Sequence, residues 1–242
     1  METKGRIHSF QSLGAVDGPG IRYVIFMQGC PYRCPYCHNP DTRVFGAGTE
    51  MTASEITEKV KRYKPYFGDL GGVTVSGGEP LMQSEFVSEL FEKLHEAGIN
   101  TALDTAGRKP DGKILRVIKN TDTVLCDIKF PNEKQYQELV GERLSDVMEF
   151  LSECQKAGKD IIIRHVVVPG LTDSKESVAD VVRIAKSVCN PVKIELLPFR
   201  KLCVEKYRKC GLKFPLENTP ECDESLIAGL RKAVEEEMAK ES

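Results

Sequence analysis

Apolar runs of five to nine residues alternate along the chain with longer amphipathic stretches, a pattern that predicts repeated strand-helix units. The strand-like runs cover 22–28, 72–76, 100–104, 123–127, 160–168 and 192–197, most of them rich in β-branched residues. Polar alternation within them is weak, which points to burial on both faces, as in a parallel sheet covered by helices. Helical periodicity fills the gaps. Thr52 with Glu55 three positions on predicts a capping box leading into Ile56, Val60 and Tyr63. Phe86, Val87, Leu90, Phe91 and Leu94 mark one face of a helix over 84–97, and Gly98 stands where a left-handed cap is expected. Further helices are expected over 112–119, 143–157, 174–187 and 224–240. Six such units read as an α/β fold, a partial TIM-like barrel with parallel strands inside and helices outside. A doubly wound sheet is the other architecture this alternation allows. No linker divides residues 1–242, so one domain is expected, with 200–242 completing the barrel and adding a closing helix.

In parallel βα folds chemistry gathers at the carboxyl ends of the strands. The first strand runs into Cys30, Cys34 and Cys37, the second into Ser76-Gly77-Gly78-Glu79, the third into Asp104 and Thr105, and the fourth into Asp127 and Lys129. Core packing alone does not require polar groups after four consecutive apolar strands.

Composition narrows the class. With 40% hydrophobic and 29% charged positions the chain suits a soluble globular domain. No apolar run approaches the roughly 18 residues that span a bilayer, and the opening METKGRIHSF lacks the apolar region of a secretory signal, so a cytoplasmic protein off the membrane is expected. The 34 basic and 36 acidic residues leave a net charge of −2, which argues against nucleic acid as the main partner. Nine cysteines, three of them crowded at 30, 34 and 37, favour metal or redox use over a disulfide frame.

The segment Cys30-Pro-Tyr-Arg-Cys34-Pro-Tyr-Cys37-His38 supports several readings. Cys34-Pro-Tyr-Cys37 alone is a dithiol redox pattern, but it leaves Cys30 unexplained. Cys34 to His38 also matches the c-type haem attachment pattern, which belongs with export. Three thiolates and His38 suit a tetrahedral zinc ion, although four ligands within nine residues are crowded. A 4Fe-4S cluster held by three thiolates leaves one iron open for a substrate. Cys203, Cys210 and Cys222 are too widely spaced for a second, ferredoxin-type cluster and are expected to be free thiols.

The Cys-x3-Cys-x2-Cys spacing after the first strand resembles the signature of the radical S-adenosylmethionine (radical SAM) superfamily. The resemblance extends over most of the chain to the pyruvate formate-lyase activating enzymes, a family of glycyl-radical enzyme activases. It is carried by GRIHSF at 5–10, VDGPGIR at 16–22, QGC at 28–30, YCHNPDT at 36–42, SGGEP at 76–80, LDTAG at 103–107, VLCDIK at 124–129, VVVPG at 166–170 and KIELLPF at 193–199.

What this resemblance implies is specific. Cys30, Cys34 and Cys37 hold a 4Fe-4S cluster whose open iron takes the amino and carboxylate groups of SAM. Tyr36 lies at the adenine and His38 beside bound SAM. Gly77 and Gly78 let the backbone approach the ligand and offer N–H groups, while Glu79 accepts from its ammonium. Asp104 and Asp127 serve the amino group, Ile128 and Lys129 complete the site with Lys129 on the carboxylate, and Arg164 points into the barrel. Asp104, Thr105 and Asp127 form a monovalent cation site. Asp17 stands close to the target glycine, and His165, facing the other way, is structural. Relatives carry histidine after the aromatic of LLPY where this chain has Arg200, a polar contact to SAM by analogy.

The implied reaction is reductive cleavage of SAM and removal of hydrogen from a glycine α-carbon of a partner enzyme, with pyruvate formate-lyase the first candidate. A low-potential donor such as flavodoxin or ferredoxin supplies the electron, and the six basic residues between Arg200 and Lys213 are a candidate docking face. A monomer is expected. The alternatives are activation of another glycyl-radical enzyme, a radical SAM reaction on a small molecule, or, outside the superfamily, a zinc or dithiol redox protein.

Overall fold

A computed structural model describes residues 2–240. Eight strands form one sheet in the order β3-β1-β2-β4-β5-β6-β7-β8. The six runs read from the sequence are β2 (Arg22–Met27), β4 (Gly72–Gly77), β5 (Asn100–Thr105), β6 (Thr123–Asp127), β7 (Asp160–Val167) and β8 (Lys193–Pro198). All neighbours among these six pair in parallel. The parallel strands follow one another in sequence order with no reversal, which excludes the doubly wound alternative, and the ladder ends at β3 and β8 without closing, so the architecture is a partial barrel.

Two strands were not legible in the apolar pattern. β1 (Lys4–Gly14) and β3 (Thr49–Thr52) add to β2 in antiparallel fashion. β1 is half exposed and mostly polar, with Ile7 as its one fully buried side chain; its partner β2, not its own composition, makes it a strand.

The helices follow their signals. Thr52 and Glu55 form the reciprocal capping box at α1 (Ala53–Lys61). α2 (Ser84–Glu96) is followed by Gly98 at φ +64°. Asp111 caps α3 (Gly112–Lys119) by accepting from the Lys113 and Ile114 N–H groups. A short α4 (Glu133–Gln135) runs into a π-helical turn, Tyr136–Val140. α5 (Leu144–Lys156), α6 (Lys175–Val188) and α8 (Glu224–Met238) occupy the expected stretches. The short α7 (Val204–Lys209) has no counterpart among the helices expected from periodicity.

Strand alternation divides the side chains between two environments. Val73, Val75, Leu103, Val124, Cys126, Ile161 and Ile163 face outward into the apolar layer under the helices. Thr74 and Ser76, Ala102 and Asp104, Leu125 and Asp127, and Ile162 and Arg164 occupy the opposite, inner face. The amino end of this lumen is filled by the loop after β1: Gly18, at φ +125°, lies against Thr74, Ala102 and Leu125.

Arg22 anchors that loop. It is fully buried, and its guanidinium donates to Thr74 Oγ1 (3.1 Å), Asn100 Oδ1 (2.8 Å) and the carbonyls of Pro19, Leu70 and Val73. Thr74 in turn donates to the Asp17 carbonyl at 2.6 Å. Burial pulls the Arg22 guanidinium down to about 10, against the opposing charge of Asp122.

Candidate active site

The carboxyl ends of β2, β4, β5, β6 and β7 surround a cavity of about 240 Å³, and all three clustered cysteines lie on its wall. Tyr36, His38, Gly77, Gly78, Glu79, Asp104, Thr105, Asp127, Lys129 and Arg164 line the same space. Side chains from separate strand ends therefore converge as the sequence predicts.

The cysteine loop is held from outside. Gly29 N–H donates to the Thr42 carbonyl (2.7 Å) and Cys30 N–H to that of Arg43 (3.3 Å). The Arg43 guanidinium reaches back to the Cys34 carbonyl at 3.0 Å and lies over the Tyr207 ring. Burial pushes the Cys30 thiol up to about 12 and the Cys34 thiol up to about 11; a bound metal would draw off their protons. Among the described residues no three His, Cys, Asp or Glu side chains converge on one ion-sized point. The three cysteines on one cavity wall suit a 4Fe-4S cluster, in which each thiolate would take a different iron.

Gly77 and Gly78 are required by a close backbone approach. Gly77 has φ +105°, and a Cβ there would lie 2.5 Å from the Met27 nitrogen; a Cβ at Gly78 would lie 2.9 Å from the Gly29 carbonyl carbon. The N–H groups of Gly78 and Glu79 are spent on the carbonyls of Met27 and Gly29, both at 2.9 Å. The expectation that this turn offers its N–H groups to a ligand is corrected for Gly78, whose N–H is held by Met27 at the end of β2, while the Glu79 N–H ties the end of β4 to the cysteine loop at Gly29.

Glu79 is also an organiser. Its buried carboxylate accepts from Thr105 Oγ1 (2.6 Å), Leu81 N–H (3.0 Å) and Ala106 N–H (3.0 Å). Burial raises its pKa and these three bonds oppose the rise.

The other carboxylates carry their own counter-charges. Asp104 accepts from Ser76 Oγ at 2.6 Å and lies 3.2 Å from Arg164 NH1. Asp127 pairs with Lys129. Burial works against the Lys129 charge, but Asp127 outweighs it and holds the pKa well above the usual lysine range. Arg164 is raised above its ordinary value, first by Asp104, against the effect of burial. The charge expected to hold a monovalent cation at Asp104, Thr105 and Asp127 is thus taken up by Arg164 and Lys129, and the Thr105 hydroxyl by Glu79.

Tyr36 is buried, lines the cavity and donates its hydroxyl to the Lys129 carbonyl at 3.0 Å. His38 Nε2 donates to the Arg200 carbonyl at 2.9 Å.

Three expected contributors stand off the cavity wall. Ile128 is fully buried, its N–H bonded to the Arg164 carbonyl and its carbonyl to His165 Nδ1. Arg200 gives its carbonyl to His38 but turns its guanidinium to Glu224 and the Cys222 carbonyl. Asp17 sits half-buried on the lumen loop. Burial, and then Asp104, raise its pKa, and Arg164 lowers it. Ser76, which the strand-end pattern marks, lines the cavity and bonds Asp104; Arg43, which sequence reasoning does not single out, supports the site from behind by holding the cysteine loop.

Comparison with known proteins gives consistent results. The family model for the radical SAM superfamily matches residues 24–182. A protein of Clostridium pasteurianum named pyruvate formate-lyase-activating enzyme is 45% identical over 233 residues, covering 96% of this chain and 98% of that one. A protein of the same name from Staphylococcus aureus strain USA300 is 40% identical over 232 residues, covering 93% and 92%. A crystal structure of a domain of pyruvate-formate lyase-activating enzyme from Bacteroides vulgatus superposes with a TM-score of 0.57 at 20% identity, covering 69% of this chain and 94% of that domain.

Proposed function

Because this chain belongs to the radical SAM superfamily and, within it, to the pyruvate formate-lyase-activating enzymes, we propose that it installs a glycyl radical in pyruvate formate-lyase, using a 4Fe-4S cluster and SAM. The observation that carries this reading is the placement of Cys30, Cys34 and Cys37 on one wall of a cavity whose other walls are the polar ends of β4, β5, β6 and β7. Held by Cys30, Cys34 and Cys37, a reduced 4Fe-4S cluster would supply the electron for reductive cleavage of SAM, the chemistry needed to take hydrogen from a glycine α-carbon.

The chain's own residues bind and orient. Cys30, Cys34 and Cys37 hold the cluster, with Arg43 and the backbone bonds of 29–30 fixing the loop around it. Lys129 and Arg164 supply the positive charge for the SAM carboxylate; Arg164 Nε is buried without a hydrogen-bond partner. Asp104 and Ser76 offer oxygens to the amino group. Tyr36 and His38 line the side nearest the cysteines, and Gly77 and Gly78 keep that wall thin. Asp17 marks the path of the incoming glycine from the lumen loop.

The open edge between β8 and β3 favours a peptide loop over a small metabolite as the guest. A monomer is the proposed working unit. The basic stretch from Arg200 to Lys213 favours an acidic one-electron carrier such as flavodoxin or ferredoxin. No helix among the described residues is long and apolar enough to cross a membrane.

Anaerobic reconstitution tests the reading. About four irons with equimolar sulfide are expected per chain, and reduced protein with SAM is expected to give the glycyl doublet of pyruvate formate-lyase in electron paramagnetic resonance. One zinc and no iron would overturn the chemistry. A doublet with another glycyl-radical enzyme alone would overturn the partner.

A further inference from the structure

The main chain leaving β6 is gripped by side chains from three separate elements. Tyr36, in the cysteine loop, donates to the Lys129 carbonyl at 3.0 Å. Tyr136, first residue of the π-helical turn, donates to the Asp127 carbonyl at 3.3 Å and accepts from the Lys129 N–H at 3.4 Å. His165, on the outer face of β7, donates from Nδ1 to the Ile128 carbonyl at 2.7 Å. With Ile128 N–H on the Arg164 carbonyl, every main-chain polar group between the Asp127 and Lys129 carbonyls has a partner.

His165 is the telling member. It is 1% exposed, and its Nε2 is buried with no hydrogen-bond partner. A buried ring nitrogen left unpaired is costly, and an aliphatic side chain would avoid the cost. What the imidazole supplies in return is the short Nδ1 bond to Ile128. The π-helical turn has a second attachment: the Val140 carbonyl accepts from Arg33 N–H at 2.9 Å, so one turn braces both the cysteine loop and the β6 exit. π-helical turns recur at functional sites for this kind of local re-aiming.

We propose that His165 and Tyr136 are positioning residues that set where Lys129 and Asp127 enter the cavity and thereby tune the affinity for SAM; this rests on the assignment of Lys129 to the SAM carboxylate. His165→Leu removes the donor, whereas His165→Asn keeps an N–H near the Nδ1 position. Calorimetric titration of the cluster-loaded protein with SAM is expected to show H165L binding about five- to tenfold more weakly, the effect of one buried hydrogen bond, and H165N within about twofold of the parent.

In a Lys129→Ala background, H165L is expected to add less than about twofold, because both changes act through one contact. Amide exchange over 128–130 in the metal-free protein is expected to quicken in H165L and not in H165N. Tyr136→Phe, which deletes a hydroxyl and leaves the ring, repeats the comparison should H165L not fold.

Unchanged SAM affinity in H165L while K129A weakens it overturns the inference, as do fully additive losses or an H165N as weak as H165L. If K129A itself binds SAM normally, the Lys129 assignment is what fails, and the exchange data then decide whether the brace exists.

Discussion

Replacing Gly78 with alanine tests the most demanding contact in the site. The added methyl would stand 2.9 Å from the Gly29 carbonyl carbon and closer still to its oxygen. Ordinary contact begins near 3.5 Å, so the peptide before Cys30 must retreat by roughly 0.6 Å or more. Backbone cannot rotate aside as a side chain does, and overpacking of this kind costs about 1–3 kcal/mol. The retreat also strains the 2.9 Å bond from Glu79 N–H to the Gly29 carbonyl, adding about 1 kcal/mol. The total of about 2–4 kcal/mol corresponds to a fall of roughly 5–15 °C in Tm for a chain of this size.

Because the displaced peptide carries the first cluster ligand, iron content after reconstitution is expected to fall with stability. Gly229→Ala is the control. Gly229 is exposed in the middle of α8, and a methyl added there would meet no atom within 4 Å, so alanine is expected to stabilise by about 0.5–1 kcal/mol. Thermal unfolding under anaerobic conditions and iron analysis read both variants. A G78A protein that melts with the parent and takes a full iron complement would refute the steric argument.

Arg164→Met is expected to cost about 3–5 kcal/mol in urea unfolding, because it leaves Asp104 in a largely buried lumen without its cation; a loss under 1 kcal/mol would show the lumen to be well hydrated. Asp17 titrates above the ordinary carboxylate value, so its neutral form is favoured by folding: its contribution is intact below about pH 4 and fades as pH rises through the raised value. Asp17→Asn is therefore expected to gain stability over the parent between about pH 4 and 7, read as a growing difference in urea midpoints; a difference independent of pH would contradict this. Arg200→Ala is expected to leave SAM affinity within about twofold and to cost under 1 kcal/mol, since its guanidinium pairs with an exposed Glu224 away from the cavity; calorimetry with SAM checks the first and melting the second.

The six parallel strands and the residues at their ends were legible because both leave local marks: an apolar run, then a polar or ligating group. Glu79, Asp104, Asp127 and Lys129 were visible as chemistry but not as partners. Nothing in one dimension says that Glu79 will meet Thr105, Leu81 and Ala106, or that Asp127 will take Lys129 before any ligand does. The GGE turn misled for the same reason, since a glycine needed for contact with backbone looks like a glycine needed for contact with a ligand. β1 escaped because its order comes from pairing with β2, and Arg200 because its position in the motif does not fix which way its guanidinium turns.

The unpaired margins at β3 and β8 set the cost of admitting a bulky guest. Across that seam the C-terminal stretch meets the cysteine loop through side-chain latches: His38 to the Arg200 carbonyl, Lys206 to Asn39, and Arg43 to the Tyr207 hydroxyl. Each is worth about 1 kcal/mol net. Parting the two there would cost these three bonds and the Lys206–Asp41 pair, and would spare every rung of the β ladder.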